Sequence, residues 1–291
     1  MGNIVNSINN QIKKFKDRKL NISCYEESKL KEILLDIGYF RLGFYCYYYF
    51  DKNKEEFDQN IKISDIVNLY YLDIDLKYLL LKYINRIEIN FRTKLIYYVS
   101  MKYKDNPYWY VDENIMNEEY VKNFKEKTYT EKFKTENLAL KKHHENHKET
   151  EFAPCWKVFE YLTFGSIITI FNNIKDDEVR QIVCDKYNIK HLYKFNLLLN
   201  SVRLIRNICA HSGVLFDYSL PKSVSTIPQI NFNKGDRNSL DSSIKIIGFF
   251  IQNISTNRYK DFQDEIKDFF DSKKQDSVLA LVIKDRIKYL E

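Results

Sequence analysis

Leu72-Asp-Ile-Asp-Leu76-Lys-Tyr-Leu79-Leu80-Leu-Lys-Tyr83-Ile84-Asn-Arg-Ile87-Glu-Ile-Asn-Phe91-Arg-Thr-Lys-Leu95-Ile-Tyr-Tyr98 decides the fold class. The numbered residues are apolar and recur at three- and four-residue spacing, which draws one stripe along an α-helix. The pattern extends over residues 62–104 without a glycine or proline. Glu88 and Arg92 stand four residues apart, so they can pair along the helix surface. The other orientation turns Arg92 toward a cleft. Asn106-Pro107 closes the segment, because a residue ahead of proline disfavours the helical conformation.

The flanking sequence continues in the same style. Residues 26–50 read as a helix, a tight element at Gly38, and an aromatic run from Tyr39 to Phe50. Such a run is a core wall, or alternatively a surface on which bases stack. Residues 113–150 are highly charged and weakly periodic. His143 and His147 lie one turn apart there, but no third ligand accompanies them, so a solvated helix is expected and no metal site. Pro154-Cys155-Trp156 opens a new segment, and Phe164-Gly165-Ser166 interrupts or restarts the helix running to Ile174. Helices are expected over 176–188 and 191–212, then a loop to about 238, then helices over 239–256, 258–273 and 276–290. No repeat, linker or alternating strand run stands out. The expectation is one all-α unit spanning 1–291.

Composition agrees. Seven glycines and four prolines in 291 residues favour long helices over many tight turns. Lys+Arg total 46 against 40 Asp+Glu, a net +6 that suits an RNA partner without requiring one. Cysteines 24, 46, 155, 184 and 209 are scattered singly, which fits a reducing cytoplasm better than a disulfide framework. The N-terminus lacks an apolar signal core, and Asn6 stands where a myristoylation signal needs Ser or Thr. No apolar run approaches the ~18 residues of a membrane span.

The chemistry is concentrated in Arg203-Leu-Ile-Arg206-Asn207-Ile-Cys-Ala-His211-Ser-Gly213. On a helical wheel Arg203, Arg206, Asn207, Ala210 and His211 fall on one face, with Asn200 beside them. Val202, Leu204, Ile205, Ile208 and Cys209 fall on the other. Arg206 and His211 diverge by about 140° on an ideal helix. Gly213 as a C-cap would loosen the last turn at His211. Alternatively, two copies of the helix face each other across a dimer axis. The residue types suit RNA cleavage without a metal. A neutral histidine takes the 2′-hydroxyl proton, a protonated one supplies the leaving oxygen, and arginine holds the phosphate. Asn207 can orient the imidazole or bond a phosphate oxygen. The plainer account is a histidine capping a helix end and an arginine in a salt bridge.

Four blocks widen the pattern: Ile37-Gly-Tyr-Phe-Arg41-Leu-Gly-Phe-Tyr; Leu80 to Leu95, with Arg86-Ile-Glu88-Ile-Asn-Phe-Arg92-Thr93; Pro154-Cys-Trp156-Lys-Val-Phe-Glu160-Tyr-Leu-Thr-Phe164-Gly165; and Arg203 to His211. In order and spacing they resemble the Abi-like (AbiD/AbiF-type) abortive-infection proteins of the HEPN ribonuclease superfamily. The resemblance covers about 26–220. It implies a HEPN-like helical bundle with additional N- and C-terminal helices, the latter over 239–290. It implies a metal-independent endoribonuclease without cofactor, with Arg206 and His211 as the catalytic pair and Asn207 in support. Arg203, Arg92 and Arg41 are the expected RNA contacts. A homodimer is implied, as is a role in phage defence or as a toxin restrained by an antitoxin, of which a small structured RNA is one form. No DNA or membrane partner is expected. One departure is that His211 is followed by Ser-Gly-Val-Leu-Phe rather than by a basic residue, and Arg203 is the candidate substitute. The alternatives are a noncatalytic RNA-binding scaffold using the same face and, more weakly, a target of tyrosine modification.

Overall fold

A computed structural model describes residues 5–211, 213–233 and 235–290. Among these the chain is all-α, with fourteen α-helices and a two-stranded hairpin of two-residue strands. The N-terminal part comprises α1 (Ile8–Asp17), α2 (Glu27–Asp36), α3 (Tyr39–Cys46), the hairpin β1 (Phe50–Asp51) and β2 (Glu56–Phe57), and α4 (Ile63–Lys102). The middle comprises α5 (Glu118–Asn123), α6 (Glu131–Glu136), α7 (Leu138–Asn146), α8 (Cys155–Val158), α9 (Phe164–Asn172), α10 (Asp177–Asp185) and α11 (Leu192–Ala210). Last come α12 (Leu240–Gln252), α13 (Thr256–Lys273) and α14 (Ser277–Val282). A π-helical stretch extends α5 over Phe124–Thr128, and another extends α14 over Ile283–Ile287.

The 40-residue α4 is the axis of the molecule. At 1.5 Å per residue it runs about 60 Å. The Asp65 carboxylate accepts from the Lys62 amide at 2.8 Å and so closes its first turn. The stripe read from the sequence is buried, from Leu72 and Leu76 through Ile84, Ile87 and Phe91 to Leu95. α3, α10, α11, α12, α13 and α14 all pack on α4. The helix ends at Lys102, ahead of Pro107.

Two differences from the sequence reading have physical causes. The aromatic run is split by helix geometry: Leu42, Tyr45 and Cys46 face the core, whereas Phe40, Phe44 and Tyr47 face outward. The hairpin pairs Phe50 with Phe57, a strand segment too short for an alternating pattern to register. The additional C-terminal helices form part of the core. α12 is buried nearly all round, its Asp241, Ser242 and Ser243 included, and lies between α4, α11 and α13.

Candidate functional site

α11 carries the motif. Its apolar face buries Leu198, Val202, Ile205 and Cys209, and the helix packs on α4, α9, α10 and α12. That packing turns the polar face outward, leaving Arg203, Arg206 and Asn207 half-buried and Ala210 and His211 exposed. His211 is the C-cap. Its amide still donates to the Asn207 carbonyl at 3.0 Å, but its backbone is extended, with φ −117° and ψ −177°. Arg206 does not line the pocket on which His211 opens, in keeping with the divergence expected on a helix. Gly213 is not a left-handed cap, since the positive-φ glycines among the described residues are Gly38 and Gly235. It is small because of close approach: a Cβ there would stand 3.1 Å from the Ile208 Cγ2.

Each arginine has a separate position. Arg206 directs its Nε at Glu88 Oε2, 3.6 Å away. Glu88 Oε1 meets Arg92 Nη2 at 3.2 Å, so one carboxylate stands between two guanidiniums. Arg92 also reaches Glu160 at 3.4 Å and the Leu162 carbonyl at 3.2 Å, and is 9% exposed. It ties α4 to the turn before α9 and is not on the outer face. The Glu88–Arg92 pair exists but is nearly buried, unlike the surface pair the spacing indicates. Arg203 donates its Nε to Asn200 at 3.1 Å and opens on a cavity of about 570 Å³ with Thr163, Gly165 and Ser166 at the start of α9. His211 opens on another pocket, of about 450 Å³, whose walls include Arg41, Lys77, Tyr78 and Cys209. Arg203 and His211 thus line different pockets. Arg41 does share the His211 pocket; its guanidinium lies 5.9 Å from the Tyr45 ring centre.

The sequence reading missed Asp73 and Lys77. Their side chains pair at 2.6 Å, both buried in α4. Asp73 also accepts from the Tyr45 hydroxyl at 2.8 Å and from the Leu215 and Phe216 amides at 2.8 and 2.6 Å. It thereby fixes the chain four and five residues beyond His211 onto α4. The available signal was a charged pair at i,i+4 lying between Leu69, Leu72, Leu76 and Leu80, inside the buried stripe. Burial pushes the Cys209 thiol at the pocket wall up to about 12, so it stays neutral.

The histidine cluster is less solvated than its charged surroundings imply. His143 is buried, with Nδ1 3.3 Å from the Lys157 ammonium and Nε2 3.3 Å from Thr150 Oγ1. His144 Nε2 lies 2.9 Å from the Tyr129 hydroxyl. Burial holds both imidazoles below the ordinary histidine pKa, and the nearby charges of Lys157 and Lys134 add to the effect. No group of three or more His, Cys, Asp or Glu able to hold a metal occurs among the described residues.

The family model described as Abi-like protein matches residues 32–217, more than half the chain. The chain belongs to the Abi-like protein family. The match begins within α2 and ends just past Phe216, so it takes in Arg41, Asp73, Lys77, Arg206 and His211 of this Abi-like protein. No curated protein and no solved structure matches. Membership suggests a role in abortive infection, a defence against phage. No helix among the described residues is long and apolar enough to cross a membrane.

Proposed function

We propose that this Abi-like protein is a cytoplasmic, metal-independent endoribonuclease of the HEPN type, acting in phage defence as a homodimer restrained by an antitoxin. The observation that carries this reading is His211: an exposed imidazole at a helix end, at the mouth of a pocket with two cationic side chains in its walls. The 2′-oxygen of RNA attacks the adjacent phosphorus as the bond to the 5′-oxygen breaks. A neutral His211 accepts the 2′-hydroxyl proton, and a protonated imidazole, that of the second copy, delivers one to the leaving 5′-oxygen. The products are a 2′,3′-cyclic phosphate and a 5′-hydroxyl. Arg206 stabilises the phosphorane charge and Asn207 orients the imidazole. Two copies meeting at α11 bring the Arg206 of one toward the His211 of the other. An RNA antitoxin suits the same basic face.

A second reading is an RNA-holding scaffold without turnover. It is favoured by Arg206, whose nearest anion is Glu88 and which does not line the His211 pocket.

Cleavage of RNA in EDTA by wild type, Arg206→Ala and His211→Ala, with thermal melts as a folding check, separates the two. The nuclease reading expects cyclic-phosphate ends from wild type and a loss of about 100-fold or more in His211→Ala, the usual scale for a proton-transfer group. Salt-sensitive binding without product across several RNA classes overturns it in favour of the scaffold.

A further inference from the structure

We infer that Lys77 and Arg41 form a backbone-phosphate subsite for single-stranded RNA beside His211, with Tyr78 as a base-stacking surface at its rim; this rests on the RNA reading above. The three side chains line the pocket that His211 opens on. Lys77 is 3% exposed and lines the pocket, with its ammonium shut off from solvent and without a hydrogen-bond partner. A charged amine taken out of water needs a reason. Asp73 supplies only part of one: its carboxylate pairs with the ammonium at 2.6 Å, but no hydrogen bond satisfies that ammonium, which leaves capacity for a further acceptor. The Asp73 carboxylate is fully buried and its charge is shared among the Tyr45 hydroxyl, two backbone amides and Lys77, so it fixes Lys77 rather than facing the pocket. Arg41 adds a planar fork suited to phosphate oxygens. Cys209, kept neutral by burial, adds no opposing charge. Tyr78 is 70% exposed, an unusual state for an aromatic ring beside two cations and a histidine. Base stacking next to a cationic track is how sequence-tolerant single-strand sites are built.

This assignment meets the departure noted in the motif. No basic residue stands at positions 212–221 just after His211, but two arrive beside it from α3 and α4. The phosphate contact is thus provided across the fold instead of along the chain.

The test is binding of a labelled 2′-O-methyl oligouridylate, which cannot be cleaved by 2′-hydroxyl attack, followed by fluorescence anisotropy across a salt series. Removing one phosphate-binding cation lowers the slope of log affinity against log salt by about 0.7 for a single strand. Lys77→Met and Arg41→Gln are each expected to do so, while Lys260→Gln, on exposed α13 surface, leaves the slope unchanged. Should Lys77→Met lose its cooperative thermal transition, Lys77→Met/Asp73→Asn removes the pair together and is read the same way. Should that variant also fail to fold, Arg41→Gln decides. An unchanged slope, or no binding by wild type at low salt, overturns the subsite. Cleavage of the unmodified oligomer is followed in parallel. A lowered slope without any cleavage retains the subsite and removes the nuclease reading, whereas cleavage with unaltered slopes does the reverse.

Discussion

Asp73 is the residue on which the geometry of the His211 pocket depends most directly. Its carboxylate is fully buried, accepts three hydrogen bonds, from the Tyr45 hydroxyl on α3 and from the Leu215 and Phe216 amides, and forms an ion pair with Lys77 on α4. Burial and the Asp73 charge raise the Tyr45 pKa far above its ordinary value, so the hydroxyl remains a donor. Removing the acceptor strands two amides, a hydroxyl and an ammonium away from water. Breaking a buried ion pair from one side costs about 3–5 kcal/mol. Asp73→Ala is therefore expected to lose about that much unfolding free energy in urea, with greater proteolysis of the segment after His211. Asp73→Asn, which keeps an acceptor for the amides, is expected to lose less. A loss below about 1 kcal/mol in Asp73→Ala would mean that the network is not holding the loop.

At the scale of elements, legibility follows how far a pattern repeats. α4 was plain in the sequence because its stripe recurs over about seven turns, and α11 because polar and apolar residues separate on its wheel. The end of α11 was not. Asp73 holds residues 215 and 216, a contact across 142 and 143 positions that no local spacing reports. Arg92 was legible as a partner of Glu88, but its burial depends on Glu160 and the Leu162 carbonyl arriving from another element. The hairpin and the π-helical extensions are too short to leave a period. α12 shows the same limit from the packing side: its Gly248 is needed by α13. A Cβ there would meet Phe262 Cε1 at 3.0 Å and Tyr259 Cε2 at 3.3 Å. Alanine in place of a mid-helix glycine ordinarily gains about 1 kcal/mol. Here the Phe262 ring is itself buried and must shift, and overpacking of that kind costs about 1–3 kcal/mol. Gly248→Ala is expected to lower the melting temperature. A raised one would show that the α12–α13 crossing has slack.

For the molecule as a whole, the question is whether the part shared with the family is a folding unit. The family match ends at residue 217, before α12 begins at Leu240. Yet α12 packs on α4, α11 and α13, and α13 and α14 also reach α4. α12 alone buries Leu240, Ile244, Ile246, Ile247, Phe249, Phe250 and Ile251. At about 1.5–3 kcal/mol for each large side chain, their burial is worth roughly 10–20 kcal/mol, against a net stability of about 5–15 kcal/mol for a typical domain. The faces of α4 and α11 that α12 covers would lose comparable shelter. A chain ended after Leu220 is therefore expected to show no cooperative transition by calorimetry and to bind a hydrophobic dye, even though it retains Arg41, Lys77, Arg206 and His211. A cooperative melt near that of the full chain would instead make α12–α14 a separate unit. The functional consequence runs the same way. α11 can present His211 at a fixed position only if its opposite face is held, and part of that hold comes from a helix outside the family match. In this chain the residues proposed for catalysis and the residues that keep them in place thus belong to different stretches of sequence, and a transplant of the motif segment alone would carry the first without the second.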